Sequence, residues 1–133
     1  MKTLYYKFMA FVVTWLLRLL PRNAPVVYKG VNSALVMCEQ VAILGFTRVI
    51  IITDNFLGGS GILDGIKSTL ADTGVEFVVY DGVLPDPSFD QVQEGEALLR
   101  TEKCQAVIAV GGGSVLDAAK MMAMLHKIGR AHV

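Results

Sequence analysis

The sequence predicts an α/β fold in which a parallel β-sheet is flanked by helices. Three short apolar runs, rich in β-branched residues, end at Thr53, Tyr80 and Val110. Between them lie stretches in which apolar residues recur at helical spacing, bounded by glycines or capping residues. Alternation of strands and helices favours parallel strands joined by right-handed crossovers. We therefore expect residues 25–127 to form a three-stranded parallel core with helices on its faces.

The predicted elements follow one another in a regular order. An opening strand near 26–29 precedes a helix that Asn32 or Ser33 can cap and Gly45 ends. Residues 48–53 form a predicted strand whose positions 49–53 are a continuous β-branched run, which is typical of a strand buried on both faces. Ser88 and Gln91 have the spacing of a capping box. The later elements are predicted as a helix at 61–72, a strand at 75–80, a helix at 88–102, a strand at 106–110 and a helix at 114–126.

Residues 106–120 (AVIAVGGGSVLDAAK) join a strand to a helix through three glycines. Residues without side chains let backbone N–H groups approach an anion, and the positive end of the helix faces it. This pattern predicts a phosphate site, although the contiguous glycines match neither the G-x-G-x-x-G nor the Walker spacing. The alternative is a tight strand-to-helix turn that needs glycine for packing alone.

Four ordered segments carry a resemblance to a known family. The GGGSVLDAAK segment at 111–120 looks like the GGGSxxDxAK signature of the iron-containing (group III) alcohol dehydrogenases. VIIITDNFL at 49–57 is similar to the family's strand ending in T-D-x-x-L. DGVLPDP at 81–87, followed by VQEG at 92–95, resembles its aspartate-to-proline loop and the next helix. VYKG at 27–30 resembles its first strand, so the likeness covers about residues 25–125.

The resemblance implies a Rossmann-like dinucleotide-binding domain, here incomplete, that binds NAD. Its cofactor-binding residues would be Asp54, Gly111, Gly112, Gly113, Ser114 and Asp117. The family uses the position of Asp54 for the adenosine ribose, and a carboxylate there favours NAD over NADP. Two alternatives stay open: Asp54 can simply cap the next helix, and Asp117 can pair with Lys120 three residues further on.

The resemblance also implies a second, helical domain that carries an aspartate and three histidines on iron. This chain has two histidines, His126 and His132, and neither lies in a metal motif. We therefore expect the C-terminal helical metal domain to be absent, with no catalytic residue and no metal ligand in these 133 residues. The chain would be the nucleotide-binding part of an NAD-dependent alcohol dehydrogenase, inactive alone. The alternatives are a non-catalytic nucleotide-binding fragment and a glycerol dehydrogenase-like zinc enzyme.

Composition bounds the partners. Lysine plus arginine and aspartate plus glutamate number 12 each, so the chain has no basic field for nucleic acid. With 53% hydrophobic residues it is not a disordered chain, and its two cysteines favour buried thiols in a reducing compartment. We expect a cytoplasmic protein whose full-length form takes small alcohols or aldehydes and assembles as a homo-oligomer.

The N-terminal segment, residues 1–24, is predicted as an apolar helix separate from the domain at 25–133. The run at 8–20 is interrupted only by Thr14 and Arg18, which fall with Lys7 on a narrow stripe of one face. It is shorter than the roughly 20 residues that span a bilayer, and Arg18 interrupts what would be a signal-peptide core. Two interpretations remain: packing on a protein surface, or membrane-surface contact through residues 8–20.

The last residues, 128–133 (IGRAHV), look like one reading frame of a common sequencing adapter. We expect them to be a non-native tail that follows a cut reading frame, and we exclude them from the fold argument. The alternative is a frayed native terminus.

Overall fold

The computed structural model describes residues 28–131 and, ahead of them, three isolated helical positions at Lys7, Met9 and Val12. The elements are α1 (Ser33–Ile43), β1 (Arg48–Ile52), α2 (Asn55–Gly59), α3 (Asp64–Asp72), β2 (Glu76–Tyr80), α4 (Phe89–Thr101), β3 (Ala106–Ala109) and α5 (Gly113–Ala131). The predicted alternation of strands and helices is confirmed.

The three strands form one parallel sheet in the order β2-β1-β3. β1 pairs with β2 from Arg48 to Ile52, and with β3 from Val49 to Ile52. The last four residues of β1 are completely buried. A strand with a neighbour on each edge and helices on each face has no polar surroundings, which explains its continuous apolar sequence.

The side chains of β1 alternate between two helical layers, because successive residues of a strand point to opposite faces. Ile50 and Ile52 belong to a core cluster that includes buried residues of α4 and α5: Val92, Leu99, Val115, Ala118, Ala119 and Met122. Val49 and Ile51 belong to a second cluster, which α1 and α3 cover with Cys38, Ile66 and Leu70. The sheet is thus the middle of three layers, and β1 is its axis.

Local signals placed most boundaries within a few residues. The capping box of α4 is confirmed, since the Ser88 hydroxyl accepts from the Gln91 N–H at 3.4 Å and Gln91 Oε1 accepts from the Ser88 N–H at 3.3 Å. Asn32 precedes α1 as expected, but it lies in the left-handed region with φ 63° and its side chain makes no capping hydrogen bond.

Three predicted elements differ from the structure. The last helix, predicted at 114–126, extends to Ala131 and so includes residues 128–131 of the predicted tail. The helix expected at 61–72 begins at Asp64, and residues 55–59 form the separate short helix α2. Gly61 lies between them with φ +78°, a conformation that interrupts any continuous helix. Tyr28 and Lys29, the described half of the expected opening strand, have no regular structure.

Other predictions fall outside the described residues. Most of the predicted N-terminal helix at 1–24 lies there, although Lys7, Met9 and Val12 are helical. His132 and Val133, at the end of the predicted non-native tail, are also not described. Both proposals stay predictions.

Thr53 joins the strands at their carboxyl ends. It is completely buried immediately after β1. Its hydroxyl donates to the carbonyl oxygen of Val110 at 2.8 Å, just past β3, and its N–H donates to the carbonyl oxygen of Tyr80 at 2.9 Å, the last residue of β2. One residue therefore fixes the ends of three strands, from which the loops around the candidate site depart.

Thr53→Val tests this junction, because valine has a similar shape and lacks the hydroxyl. We expect the free energy of unfolding of the 133-residue chain to fall by about 1–3 kcal/mol, since the substitution removes this donor from the carbonyl of Val110. Urea denaturation measures it. Thr69→Val is the control, because the Thr69 hydroxyl donates to Gly65 on the exposed surface of α3, and we expect it to change stability by less than about 0.5 kcal/mol. Equal effects would contradict the proposed role of Thr53.

Tyr80 titrates at unusually high pH. Burial, together with the negative charge of Glu94 3.2 Å from its hydroxyl, raises the pKa of Tyr80 to about 12. The pKa of tyrosine in an unfolded chain is about 10, so the folded chain holds the proton more tightly. The resulting stabilisation is complete below about pH 10 and is lost as the pH rises towards about 12.

The side chain at position 80 of the Tyr80→Phe variant cannot ionise, so a comparison of its stability with that of the wild type should reveal this loss. We expect the wild type to be the more stable chain at about pH 9, and the difference in free energy of unfolding to shrink by about pH 12. Denaturation of both chains at the two pH values measures it. A stability difference that stays constant with pH would contradict the raised pKa.

Candidate functional site

The strand order creates a crevice at the carboxyl ends of the strands. The chain runs from β1 to β2 on one side, then crosses back over β1 to place β3 on the other side. Where the strand order of a parallel sheet reverses in this way, the two connections lie on opposite faces of the sheet, and the loops that begin them are separated by a gap. Ligands bind in the resulting gap, outside the carboxyl ends of the strands.

A cavity of about 470 Å³ lies at this position. Three segments, one after each strand, form its walls: Asp54, Asn55 and Phe56; Val83, Leu84 and Pro85; and Gly112, Gly113, Ser114 and Val115. Four of the six residues predicted from the sequence to bind a cofactor therefore meet in one cavity. These are Asp54, Gly112, Gly113 and Ser114.

The turn at 111–114, here called the glycine turn, contains three glycines, and the physical reason for glycine differs among the three positions. A Cβ on Gly111 would lie 2.6 Å from Cγ2 and 2.8 Å from Cβ of Val115, so Gly111 is required by packing inside the chain. A Cβ on Gly112 or Gly113 would meet no described atom within 4 Å. Neither residue has a positive φ. Nothing within the described chain requires glycine at these two positions, and both line the cavity.

The first turn of α5 presents backbone donors to the cavity. The N–H of Leu116 bonds to the carbonyl oxygen of Gly112 at 3.1 Å, so the ladder of helix hydrogen bonds begins there. The N–H groups of Gly113, Ser114 and Val115 come before that bond and have no partner among the described residues. The first turn contains no acidic residue, so no side chain of that turn neutralises the positive end of this 19-residue helix.

Ser114 connects two walls of the cavity. Its hydroxyl donates to the carbonyl oxygen of Pro85 at 2.6 Å, which links the start of α5 to the loop after β2. A hydroxyl has one hydrogen to donate. In this arrangement the Ser114 side chain holds the loop at 83–85, and the backbone N–H groups are the donors that remain for an anion.

The two carboxylate oxygens of Asp54 have different surroundings. Its Oδ1 accepts from the N–H of Leu57 at 2.8 Å, so Asp54 caps α2 as one alternative expected. A carboxylate has a second oxygen, and Oδ2 of this partly exposed residue has no hydrogen-bond partner among the described side chains and backbone groups. Capping therefore uses half of the acceptor capacity of Asp54.

The two remaining predicted residues lie outside the lining. Gly111 lies directly before it and packs on Val115. Asp117 lies further along α5, where its carboxylate is 3.6 Å from the ammonium group of the exposed Lys120. That ion pair matches the alternative expected for Asp117 from their spacing.

Sequence reasoning did not single out two parts of the cavity as ligand-binding. Phe56 was part of a quoted motif without a role of its own, although it stands two residues after Asp54. Leu84 lies in the segment at 81–87, which was used only for the resemblance. The signal that could have identified both is large apolar side chains at the carboxyl ends of parallel strands.

Neither a metal-binding group nor a membrane-spanning helix is found among the described residues. Within this part of the chain, no three His, Cys, Asp or Glu side chains come together as a metal-binding group. None of the described helices is both long and apolar enough to cross a membrane.

Comparison with known proteins supports one family. The sequence profile described as iron-containing alcohol dehydrogenase matches residues 24–132. The choline dehydrogenase of Bacillus subtilis is 35% identical over 95 residues, covering 71% of this chain and 24% of that protein. The crystal structure of a 1,3-propanediol oxidoreductase superposes with a TM-score of 0.65 at 35% identity, over 68% of this chain and 24% of its own.

A second solved structure agrees. The NADH-dependent butanol dehydrogenase A of Thermotoga maritima gives a TM-score of 0.66 at 29% identity, over 74% of this chain and 27% of its own. The chain spans about a quarter of the length of these relatives. Since the profile covers most of the chain, and the matching relatives share its parallel sheet, the chain belongs to the iron-containing alcohol dehydrogenase family.

Proposed function

We propose that this chain is the NAD-binding part of an NAD-dependent, iron-containing alcohol dehydrogenase. The observation that carries the proposal is the glycine turn. Gly112 and Gly113 line the cavity, and neither steric crowding nor a left-handed backbone within the described chain requires glycine there. Absence of a side chain at such positions is explained when another molecule must approach the backbone closely.

The pyrophosphate of the dinucleotide fits the glycine turn. The N–H groups of Gly113, Ser114 and Val115 precede the first hydrogen bond of the α5 ladder. Together with the positive end of a long helix, they form an anion site of the kind that other dinucleotide-binding domains use. A side chain at Gly112 would occupy the space that the phosphate oxygens need. Ser114 positions the opposite loop through its hydrogen bond to Pro85.

Asp54 fits the adenosine ribose. Its Oδ1 is engaged by the N–H of Leu57, and its second oxygen remains to accept from a ribose hydroxyl. The 2′-phosphate of NADP would place a negative charge beside this carboxylate. Asp54 therefore both binds the diol and disfavours NADP.

When bound to the complete enzyme, NAD would supply the acceptor for the hydride that leaves the alcohol carbon. The residues of this chain would hold the cofactor and orient it. The described side chains do not fit an iron site, because they form no group of three metal-binding residues. We propose that alcohol oxidation requires parts that lie in the remaining length of the relatives, so that these 133 residues alone bind the cofactor without turnover.

Three further features belong to the same proposal. Relatives named as dehydrogenases of choline and butanol support small alcohols and aldehydes as the substrates of the complete enzyme. A homo-oligomeric, cytoplasmic enzyme stays our expectation. Contact of residues 8–20 with a membrane surface stays a separate expectation.

Gly112→Val tests the phosphate assignment. Valine would fill the space above the turn, so we expect no measurable NAD binding by isothermal titration calorimetry of the 133-residue chain. Gly59→Val is the matched control, because a Cβ there also meets no described atom within 4 Å and Gly59 does not line the cavity. Undiminished NAD affinity in Gly112→Val would refute the assignment.

Asp54→Asn tests the ribose assignment while it preserves the cap, since asparagine caps helices as well as aspartate does. Removing the charge should lower the preference for NAD over NADP by about tenfold or more, given the ~1–4 kcal/mol between close unit charges near a protein surface. Asp64→Asn, in the first turn of α3, removes an equal charge away from the cavity. If the ratio of the two dissociation constants stays at the wild-type value, Asp54 acts only as a cap.

A further inference from the structure

Phe56 is the most exposed of the large apolar residues that line the cavity. It stands on the short helix α2 with 80% of its surface accessible. Isolated exposed apolar residues are common on proteins and need no explanation alone. Phe56 differs because it lies in the wall of a cavity beside Asp54, and because α2 is fixed on both sides.

Two contacts fix α2. At its beginning, Asp54 caps the helix through the N–H of Leu57. Near its end, Gly58 lies so close to the loop after β2 that a Cβ there would be 3.0 Å from Cβ of Asp81. The helix thus rests against the loop that also carries Leu84 and Pro85. Phe56 is thereby held at a defined place beside the cavity.

The opposite wall is apolar and is also fixed. Val83, Leu84 and Pro85 line the cavity from the loop after β2. The carbonyl of Pro85 accepts the hydroxyl of Ser114, and the N–H of Val83 donates to the carbonyl of Thr53 at 3.4 Å. Leu84 is itself 57% exposed, so this wall has apolar surface to cover. The cavity therefore has apolar side chains on the wall formed by α2 and on the wall formed by the loop after β2.

We propose that Phe56 stacks on the adenine base of the cofactor, with Leu84 and Pro85 contacting the base from the opposite loop. This rests on the proposed function, and the order of groups along the ligand leads to it. If the pyrophosphate lies at the glycine turn and the ribose diol at Asp54, the base attached to that ribose comes next. Apart from Val115 on α5, the large apolar residues of the lining are Phe56, two residues after Asp54, and those of the loop at 83–85.

Stacking on an aromatic ring has a recognisable signature. Every base has a π-face, so stacking tolerates changes in the edge of the base, and each stacked base contributes measurably to affinity. Phe56 would then strengthen binding of the adenine half and have no effect on the nicotinamide half. It is a binding and positioning residue, with no part in the chemistry of hydride transfer.

The test compares ligands that contain or lack adenine. Calorimetry of the 133-residue chain measures ADP-ribose, its hypoxanthine analogue and nicotinamide mononucleotide against Phe56→Ala, Phe56→Leu and Phe56→Tyr. The matched control is Phe89→Ala, because Phe89 is 58% exposed at the start of α4 and does not line the cavity. NMR of bound ADP-ribose adds a second readout, the upfield ring-current shift of the adenine H2 and H8 protons.

We expect Phe56→Ala and Phe56→Leu to bind ADP-ribose about tenfold more weakly, in line with the loss of one base stack. Both should lose the H2 and H8 shifts, whereas Phe56→Tyr keeps affinity and shifts. The hypoxanthine analogue should behave like ADP-ribose, and nicotinamide mononucleotide should bind all variants alike.

The outcomes separate the two proposals. If the wild-type chain binds NAD and ADP-ribose and Phe56→Ala binds them equally well with unchanged H2 and H8 shifts, the stacking proposal is wrong and the proposed function stands. If Phe56→Leu keeps the affinity of wild type, the contact is apolar without stacking, and the proposal is also wrong. If the wild-type chain binds neither ligand, both proposals fall.

Discussion

Complete burial of the last four residues of β1 is the constraint on which the rest of the structure depends. The strand has parallel neighbours on both edges and helices on both faces, so the side chains of these four residues must be apolar and their backbone groups must be paired. That requirement explains the run from Val49 to Ile52. It also places the end of β1, at Thr53, in the interior. The chain then leaves the sheet through one buried hydroxyl that bonds across to Val110.

Polar groups are paired differently at the amino ends and at the carboxyl ends of the strands. At the amino ends, Arg48 pairs with Glu76 at 3.2 Å and Glu102 at 2.6 Å, while Gln105 accepts from the backbone of Thr47. Arg48 therefore bonds to two carboxylates at this end, although its Nε has no partner among the described residues. Such partly exposed ion pairs contribute little stability each. At the carboxyl ends, by contrast, the first N–H groups of α5 have no partner among the described residues and face a cavity. These donors support the anion site that we propose at the start of α5.

Signals contained in a few neighbouring residues could be predicted from the sequence, and those that depend on strand order could not. The β-branched run of β1, the capping box at Ser88 and the glycine turn are local, and each was placed correctly. The helix predicted to begin at Gly61 begins at Asp64, because Gly61 has a left-handed backbone, and the short helix α2 was not predicted. The cavity wall at Phe56 depends on α2 meeting the loop after β2. That contact follows from the order β2-β1-β3, which no spacing along the chain encodes.

The charges around the cavity narrow the class of ligand. The start of α5 attracts an anion, while Asp54, on the neighbouring wall, repels one. A free phosphate would interact favourably with the start of α5 but not with Asp54. A sugar without phosphate would bond only to Asp54. The cavity matches a molecule that carries an anionic centre, then a hydroxylated group, then an apolar plane between Phe56 and Leu84. Because the three walls arise from three different strand ends, the topology of the sheet fixes where each wall lies, and this arrangement supports the dinucleotide that we propose as the ligand.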